Sequence, residues 1–359
     1  MISWWRIDFG QKEIDRITTS INNENISQGP VTKEFEKLIA EKIGVKYVTA
    51  TTSGSMAILM ALIAAKIGPG DEVIIPNRTW IATAHAPLLL GAKPVLIDVK
   101  NDFPIIDNDQ IEAAITSKTK AIIPVHLNGR SADMRQLNDI ANKYELKIIE
   151  DAAQAFGSTN EDGFLGTQSF AGCFSLSVAK LIATGQGGFV VTNNNKTYDN
   201  LNLMRTHGVS DLINSTFSNF GFNFRFNDIL ASIGIEQLLK LDEHIEKAKQ
   251  IYKIYRDGLK ELDSIKLINA EIEHGQVPTY IEVLVEKRDE LINYLYENGI
   301  QSRPFYPNLD SSTYLKSDNS FPNSEKFCIN GLFLPSGPGQ SIGNINKVID
   351  AIHKFERSS

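Results

Sequence analysis

Short runs of β-branched and aliphatic residues alternate with amphipathic helical patterns over the first 226 residues, and this alternation restricts the fold more than any other feature. "KYVTATT", "DEVIIP", "KPVLIDV", "KAIIPVHL" and "LKIIED" read as buried strands. Between them stand segments with apolar residues at helical spacing, such as "TKEFEKLIAEKIG", "GSMAILMALIAAKIG" and "ADMRQLNDIANKYE". Such an order predicts an α/β fold in which helices cover both faces of a mostly parallel sheet. After Phe226 the rhythm changes. A long helical stretch, "NDILASIGIEQLLKLDEHIEKAKQIYKIYRDGLKEL", leads to a strand "TYIEVLVE", a helix "RDELINYLYENG" and a last helix "IGNINKVIDAIHKF". This predicts a large domain over residues 1–245 and a small C-terminal α+β domain over residues 246–359, attached by a spanning helix. A chain of 359 residues is long enough for both.

Composition excludes several classes. The formal net charge of −7 argues against a protein that grips nucleic acid through a basic face. Two cysteines, Cys173 and Cys328, are too few for a disulfide framework or a thiolate metal site, and they fit a reducing compartment. The opening "MISWWRIDFGQKEIDR" mixes aromatic and charged residues and has no apolar stretch of the length that secretion or membrane insertion uses. The expectation is a cytoplasmic protein with no metal, no nucleic acid and no membrane among its partners.

In an open parallel sheet, ligands gather beyond the carboxyl ends of the strands. After "YVTAT" come Ser53, Gly54 and Ser55 at the start of a helical pattern, which fit either a plain N-cap or a phosphate cradle of free backbone N–H groups. After "LKIIE" comes Asp151, with Gln154 close behind; a carboxylate there can cap a helix, bind a metal or pair with a cation. Lys180 is the only Asp, Glu, Lys or Arg between Gly163 and Asn195. An amine in such surroundings is either a snorkelling edge residue or a nucleophile whose pKa desolvation has lowered. Ser175 stands five residues before it, and "TGQGG" just after it permits a tight turn beside a ligand. Anion cradle, acid and isolated amine together suit a ligand with a phosphate, a protonatable ring nitrogen and an aldehyde, and pyridoxal 5'-phosphate has all three.

With these residues in view, the chain resembles the DegT/StrS family of pyridoxal-phosphate-dependent aminotransferases. The blocks "SQGPVTKEFE", "TSGSMAILMAL", "GPGDEVIIPNRTWIATAHA", "PVHLNGRSADM", "IEDAAQAFGS", "GCFSLSVAKLIATGQGGFVVTNN", "GFNFRFNDILASIGIEQLLKLD" and "GIQSRPFYP" follow the family's order from about Ser27 onwards. The resemblance implies the aspartate-aminotransferase fold, with a seven-stranded, mostly parallel sheet in the large domain. It implies that Lys180 forms the Schiff base and shuttles the proton, and that Asp151 keeps the cofactor's ring nitrogen protonated. It further implies that Trp80 and Ala153 cover the two ring faces and that Gln154 reaches the phenolic oxygen. Ser53, Gly54, Ser55 and Ser175 would hold the phosphate. Asn223 would reach the phosphate of a second copy, making the homodimer's active sites shared. Glutamate would donate the amino group, and the acceptor would be a keto sugar. "GFNFR", "HGVS" and "RPFYP" are most similar to the branch that aminates C4 of a nucleotide-linked 4-keto-6-deoxyhexose; a smaller phosphorylated ketone and a sugar dehydration are the alternatives. Four positions depart from the family pattern: Glu24-Asn25, Asn128, Gln186 and Asp310. All four are expected on the acceptor side of the site.

Overall fold

The computed structural model describes residues 1–210, 216–217, 219–315 and 317–358. Its main sheet is built from β1 (Tyr47–Thr51), β2 (Glu72–Pro76), β3 (Lys93–Ile97), β4 (Thr119–Ile122) and β5 (Lys147–Asp151). After a two-residue hairpin, β6 (Thr159–Asn160) with β7 (Gly163–Phe164), come β8 (Ala171–Ser175) and β9 (Gly188–Thr192). The seven strands are ordered β1-β9-β8-β5-β4-β2-β3. Only β9 runs against its neighbours. Side chains alternate between the two faces, as the pleat requires. Val73 and Ile75 of β2 pack into the layer that contains Met60 and Leu62, whereas Ile74 packs with Leu137 and Ile140 on the other side. The helices preceding and covering these strands are α1 (Gln11–Asn22), α2 (Pro30–Ile43), α3 (Gly54–Ala64), α4 (Ala82–Leu89), the single turn α5 (Ile111–Ala114), α6 (Met134–Tyr144) and α7 (Asn195–Arg205).

Strands β8 and β9 lie inside the block read above only for its lysine, and glycine is the reason their signal is weak. A Cβ on Gly172 would lie 1.8 Å from the Gly166 carbonyl oxygen, and one on Gly188 would lie 2.5 Å from the Phe174 carbonyl oxygen. Close backbone approach therefore selects glycine where a β-branched residue would have announced a strand.

The expected spanning helix is in fact two, α8 (Asp228–Leu239) and α9 (Leu241–Leu259), which meet at Lys240. Leu238 and Leu241 belong to the core beneath the large sheet, while Ile251, Tyr252 and Tyr255 belong to a second core. No proline or glycine marks the junction, so the apolar period reads straight through it. The second core lies against an antiparallel sheet ordered β10-β11-β13-β12: β10 (Ile265–Leu267), β11 (Ile281–Val285), β12 (Arg303–Pro304) and β13 (Gly331–Leu334). Helices α10 (Arg288–Glu297), α11 (Pro322–Asn330) and α12 (Ile342–Ser358) complete this part. The N-terminal segment crosses to it, with bridges from Ile2 to Ile300 and from Trp5 to Ser336.

Candidate active site

The carboxyl ends of β1, β2, β5 and β8 open into one cavity of about 500 Å³, whose far wall comes from the small sheet and the N-terminal segment. Ser53 ends the chain after β1 and caps α3, its hydroxyl accepting from the Met56 N–H at 3.2 Å. The first intrahelical bond runs from the Ala57 N–H to the Ser53 carbonyl, so the N–H groups of Gly54 and Ser55 have no partner within the helix. A Cβ on Gly54 would approach the Ser175 Cβ to 2.8 Å. That closeness brings the β8 terminus against the start of α3, and Ser53, Gly54, Ser55 and Ser175 all line the cavity. Free N–H groups, hydroxyls and a helix dipole form a set of donors suited to a phosphate.

Asp151 closes β5 on the same edge and is buried. Burial raises its pKa, opposed by the Thr83 hydroxyl, the Ala153 N–H and the charge of Lys180. Thr83, on α4, donates to Oδ2 at 2.8 Å, and the Ala153 N–H donates to Oδ1 at 3.1 Å. Because the Thr83 proton is committed to the carboxylate, its oxygen accepts from the Thr79 hydroxyl 3.0 Å away. Behind Asp151, the fully buried His126 and Glu150 are 2.9 Å apart. The imidazole Nδ1 accepts from the Ala132 N–H, which leaves Nε2 to donate to Glu150. Glu150 also takes N–H groups from Gly166 and Gln168 and the Ser169 hydroxyl, which fixes the strand end.

Lys180 projects into the cavity from the turn after β8, and burial lowers its pKa to about 8, with Asp151 pulling in the opposite direction. Its Nζ donates to the Tyr280 hydroxyl at 3.4 Å. Tyr280 in turn donates to the Ala179 carbonyl at 2.6 Å, while the Trp5 indole N–H donates to the Val178 carbonyl at 2.8 Å. The residues leading to the lysine are thus held by side chains from two distant parts of the sequence. Burial raises the pKa of Tyr280, so its hydroxyl stays protonated.

Trp80 is 56% exposed and lines the cavity, its ring edge-on to Tyr306 at 5.6 Å. Ala153 and Gln154 line it too. Gln154 accepts from the Asn128 N–H at 3.0 Å. Tyr306, whose pKa burial pushes up to about 12, faces Gln154 from the small-sheet side. All the sequence-derived candidates therefore share one cavity except Asn223. That residue lies on a loop outside it and accepts from the Arg225 side chain at 2.9 Å.

Of the four departures from the family pattern, only Gln186 lines the cavity of this chain. Asn128 is buried with φ of 55°, a left-handed conformation that asparagine tolerates better than most residues. Its side chain clamps Tyr280, donating to the carbonyl at 2.9 Å and accepting from the N–H at 2.6 Å. Asp310 is engaged in the same manner by Asn77, through its carboxylate and its N–H, both at 2.9 Å. Glu24 and Asn25 form the turn after α1. The expectation that all four gather on the acceptor side is thus revised within the single chain: two of them brace the large sheet against the small one.

Five further residues shape the site without having been expected there: Thr83, Tyr280, Tyr306, Trp4 and Arg303. Thr83 sits in "TWIAT", where helical spacing of four from Thr79 is visible in retrospect. The other four reach the cavity from outside the large sheet; Arg303 and Tyr306 stand in "RPFYP", which carried the family likeness but no site role, and no local pattern marks Trp4 or Tyr280.

Known proteins resemble this chain along nearly its whole length. GDP-perosamine synthase of Escherichia coli O157:H7 is 34% identical over 331 residues, covering 92% of this chain and 91% of that one. The structure of DesV from S. venezuelae superposes with a TM-score of 0.91 at 31% identity, covering 96% of this chain and 94% of the other. The PLP-form of Spr1654 from Streptococcus pneumoniae gives 0.92 at 25% identity, with 98% and 97% covered. Residues 8–353 match the model of one family along nearly the whole chain, and the protein belongs to the DegT/DnrJ/EryC1/StrS aminotransferase family.

Proposed function

We propose that this protein is a pyridoxal-phosphate-dependent sugar aminotransferase that moves the amino group of glutamate to a nucleotide-linked 4-keto-6-deoxyhexose. The observation that carries the reading is the pairing, in one cavity, of an amine whose pKa is lowered to about 8 with a buried carboxylate at the adjoining strand end. The similarity to GDP-perosamine synthase supports the choice of acceptor.

The residues present fit the cofactor. The close packing of Gly54 on Ser175 gathers the donors that suit a phosphate at one edge of the cavity, and Asp151 faces the cavity with both oxygens already oriented. When bound, the cofactor supplies an aldehyde and an electron-withdrawing ring on which nitrogen is exchanged. Ser53, Gly54, Ser55 and Ser175 bind its phosphate. Asp151 would hold a proton on the ring nitrogen, Gln154 would bind the phenolic oxygen, and Trp80 and Ala153 would confine the ring. Lys180 would supply the amine that holds the cofactor's aldehyde and, as an uncharged base, would move a proton at the reacting carbon. A lowered pKa serves both tasks, because a nucleophile and a general base must be available uncharged near neutral pH. Asn223 of the partner subunit completes the phosphate site in a homodimer. The exposed Phe217, Phe220 and Phe222 beside this residue supply an apolar patch for that contact.

The test is transfer of ¹⁵N from labelled glutamate to a panel of nucleotide-linked keto sugars and small keto phosphates, followed by mass spectrometry. Label is expected in a nucleotide-linked 4-amino sugar. Absence of label from every acceptor, with cofactor bound, overturns the reading.

A further inference from the structure

Three charged side chains line the cavity: Asp151, Lys180 and Arg303. The first two face each other at the strand ends, but Arg303 stands apart on β12 and is exposed. Its guanidinium lies over the Trp4 ring, 4.3 Å from the centroid. Among the described residues its guanidinium has no carboxylate partner and no hydrogen bond. The indole beneath it is itself held: Trp4 stacks on Tyr280 at 6.0 Å, and its backbone N–H donates to the Gln301 side chain at 3.3 Å. Stacking orients a guanidinium while leaving its edge N–H groups free, and their planar fork matches a carboxylate or a phosphate.

We infer that Arg303, presented by Trp4, is the anion-binding group for the substrates at the mouth of the cavity. This rests on the proposed reaction, in which two anionic substrates use the same cavity in turn. The donor brings a second carboxylate and the acceptor a diphosphate. Neither charge is needed at the reacting carbon, where Lys180 works, so each must be met elsewhere in the cavity. The phosphate cradle at α3 is assigned to the cofactor and Lys180 to the reacting carbon, which leaves Arg303 as the cation that the described residues of this chain add to the cavity for this task. Trp4 acts as a positioning residue: it sets the plane of the guanidinium and makes no claim on its donors.

The holoenzyme is titrated with glutarate, with GDP and with inorganic pyrophosphate, following tryptophan fluorescence and the visible absorption of the bound cofactor. Arg303→Ala is expected to weaken at least one probe about tenfold or more, Arg303→Lys to weaken it less, and Trp4→Leu to weaken the same probe. Loss confined to glutarate identifies the donor carboxylate as the ligand. Loss confined to GDP and pyrophosphate identifies the acceptor diphosphate, and loss of all three shows that one guanidinium serves both. If Arg303→Ala holds all three probes within twofold of the wild-type affinity, the inference is wrong. The spectral half-reaction with glutamate is measured in parallel. Its absence in the wild-type protein sinks the proposed function, whereas a normal half-reaction with unaltered probe binding in Arg303→Ala sinks only this inference.

Discussion

The two walls of the cavity are made differently. The wall at the strand ends consists of short polar residues whose positions follow from the main chain. Ser53 and Gly54 open a helix, while Asp151 and Ser175 end strands, and their bonds stay within the large sheet and its helices. The opposite wall is aromatic and cationic. Trp4, Tyr280, Arg303 and Tyr306 come from the N-terminal segment and the region around the small sheet, and are held by ring contacts and, at Tyr280, by hydrogen bonds to Asn128 and the Ala179 carbonyl. A wall set by backbone geometry suits a cofactor of fixed shape. One set by stacked side chains can be altered residue by residue without disturbing the sheet, which suits substrates that differ among relatives.

Substitutions on the strand-end wall should therefore cost most. Lys180→Ala is expected to lower turnover by roughly 10³-fold or more, while cofactor remains bound through the phosphate site; near-normal turnover would refute the mechanism. Asp151→Asn should lower turnover by about 10²–10³-fold, with a shift in the visible absorption of the bound cofactor as an independent readout. Gly54→Ala drives a methyl group to 2.8 Å from the Ser175 Cβ. A cost of about 1–3 kcal/mol is expected in the stability of the cofactor-free protein, measured by its melting, with a loss of cofactor affinity in equilibrium titration as the start of α3 and the end of β8 are forced apart. The smallest effect should lie on the opposite wall. Cofactor capture should rise with pH as Lys180 loses its proton and should reach half its maximum near pH 8, because its pKa lies at about 8. Tyr280→Phe removes an acceptor of the charged amine, which lowers that midpoint by a few tenths of a pH unit, for an interaction of about 1 kcal/mol or less. If Tyr280→Phe outweighs Gly54→Ala, the contrast between the walls fails.

The same division explains what could be read from the sequence. Strands β1 to β5 and the residues at their ends were legible because buried aliphatic runs followed by Ser-Gly-Ser or by Asp are local signals. Lys180 was legible because it stands alone among uncharged residues. Tyr280 was not: it lies 100 positions away at the edge of an ordinary strand, and only the tertiary fold brings it to the amine. Asn128 and Asp310 were misplaced for a related reason. Their departure from the family pattern was visible, but their bonds to Tyr280 and Asn77 are made across the two sheets. The junction at Lys240 escaped because both helices keep the same apolar period through it.

Arg78 has a consequence beyond packing. It is buried between the rings of Phe305 and Tyr306 and donates to the Tyr306 carbonyl, while its neighbour Asn77 holds Asp310. Two residues further on stands Trp80. The indole and the phenol, in edge contact with each other, therefore share one buried anchor, so a substitution that loosens Arg78 is expected to displace both rings at once.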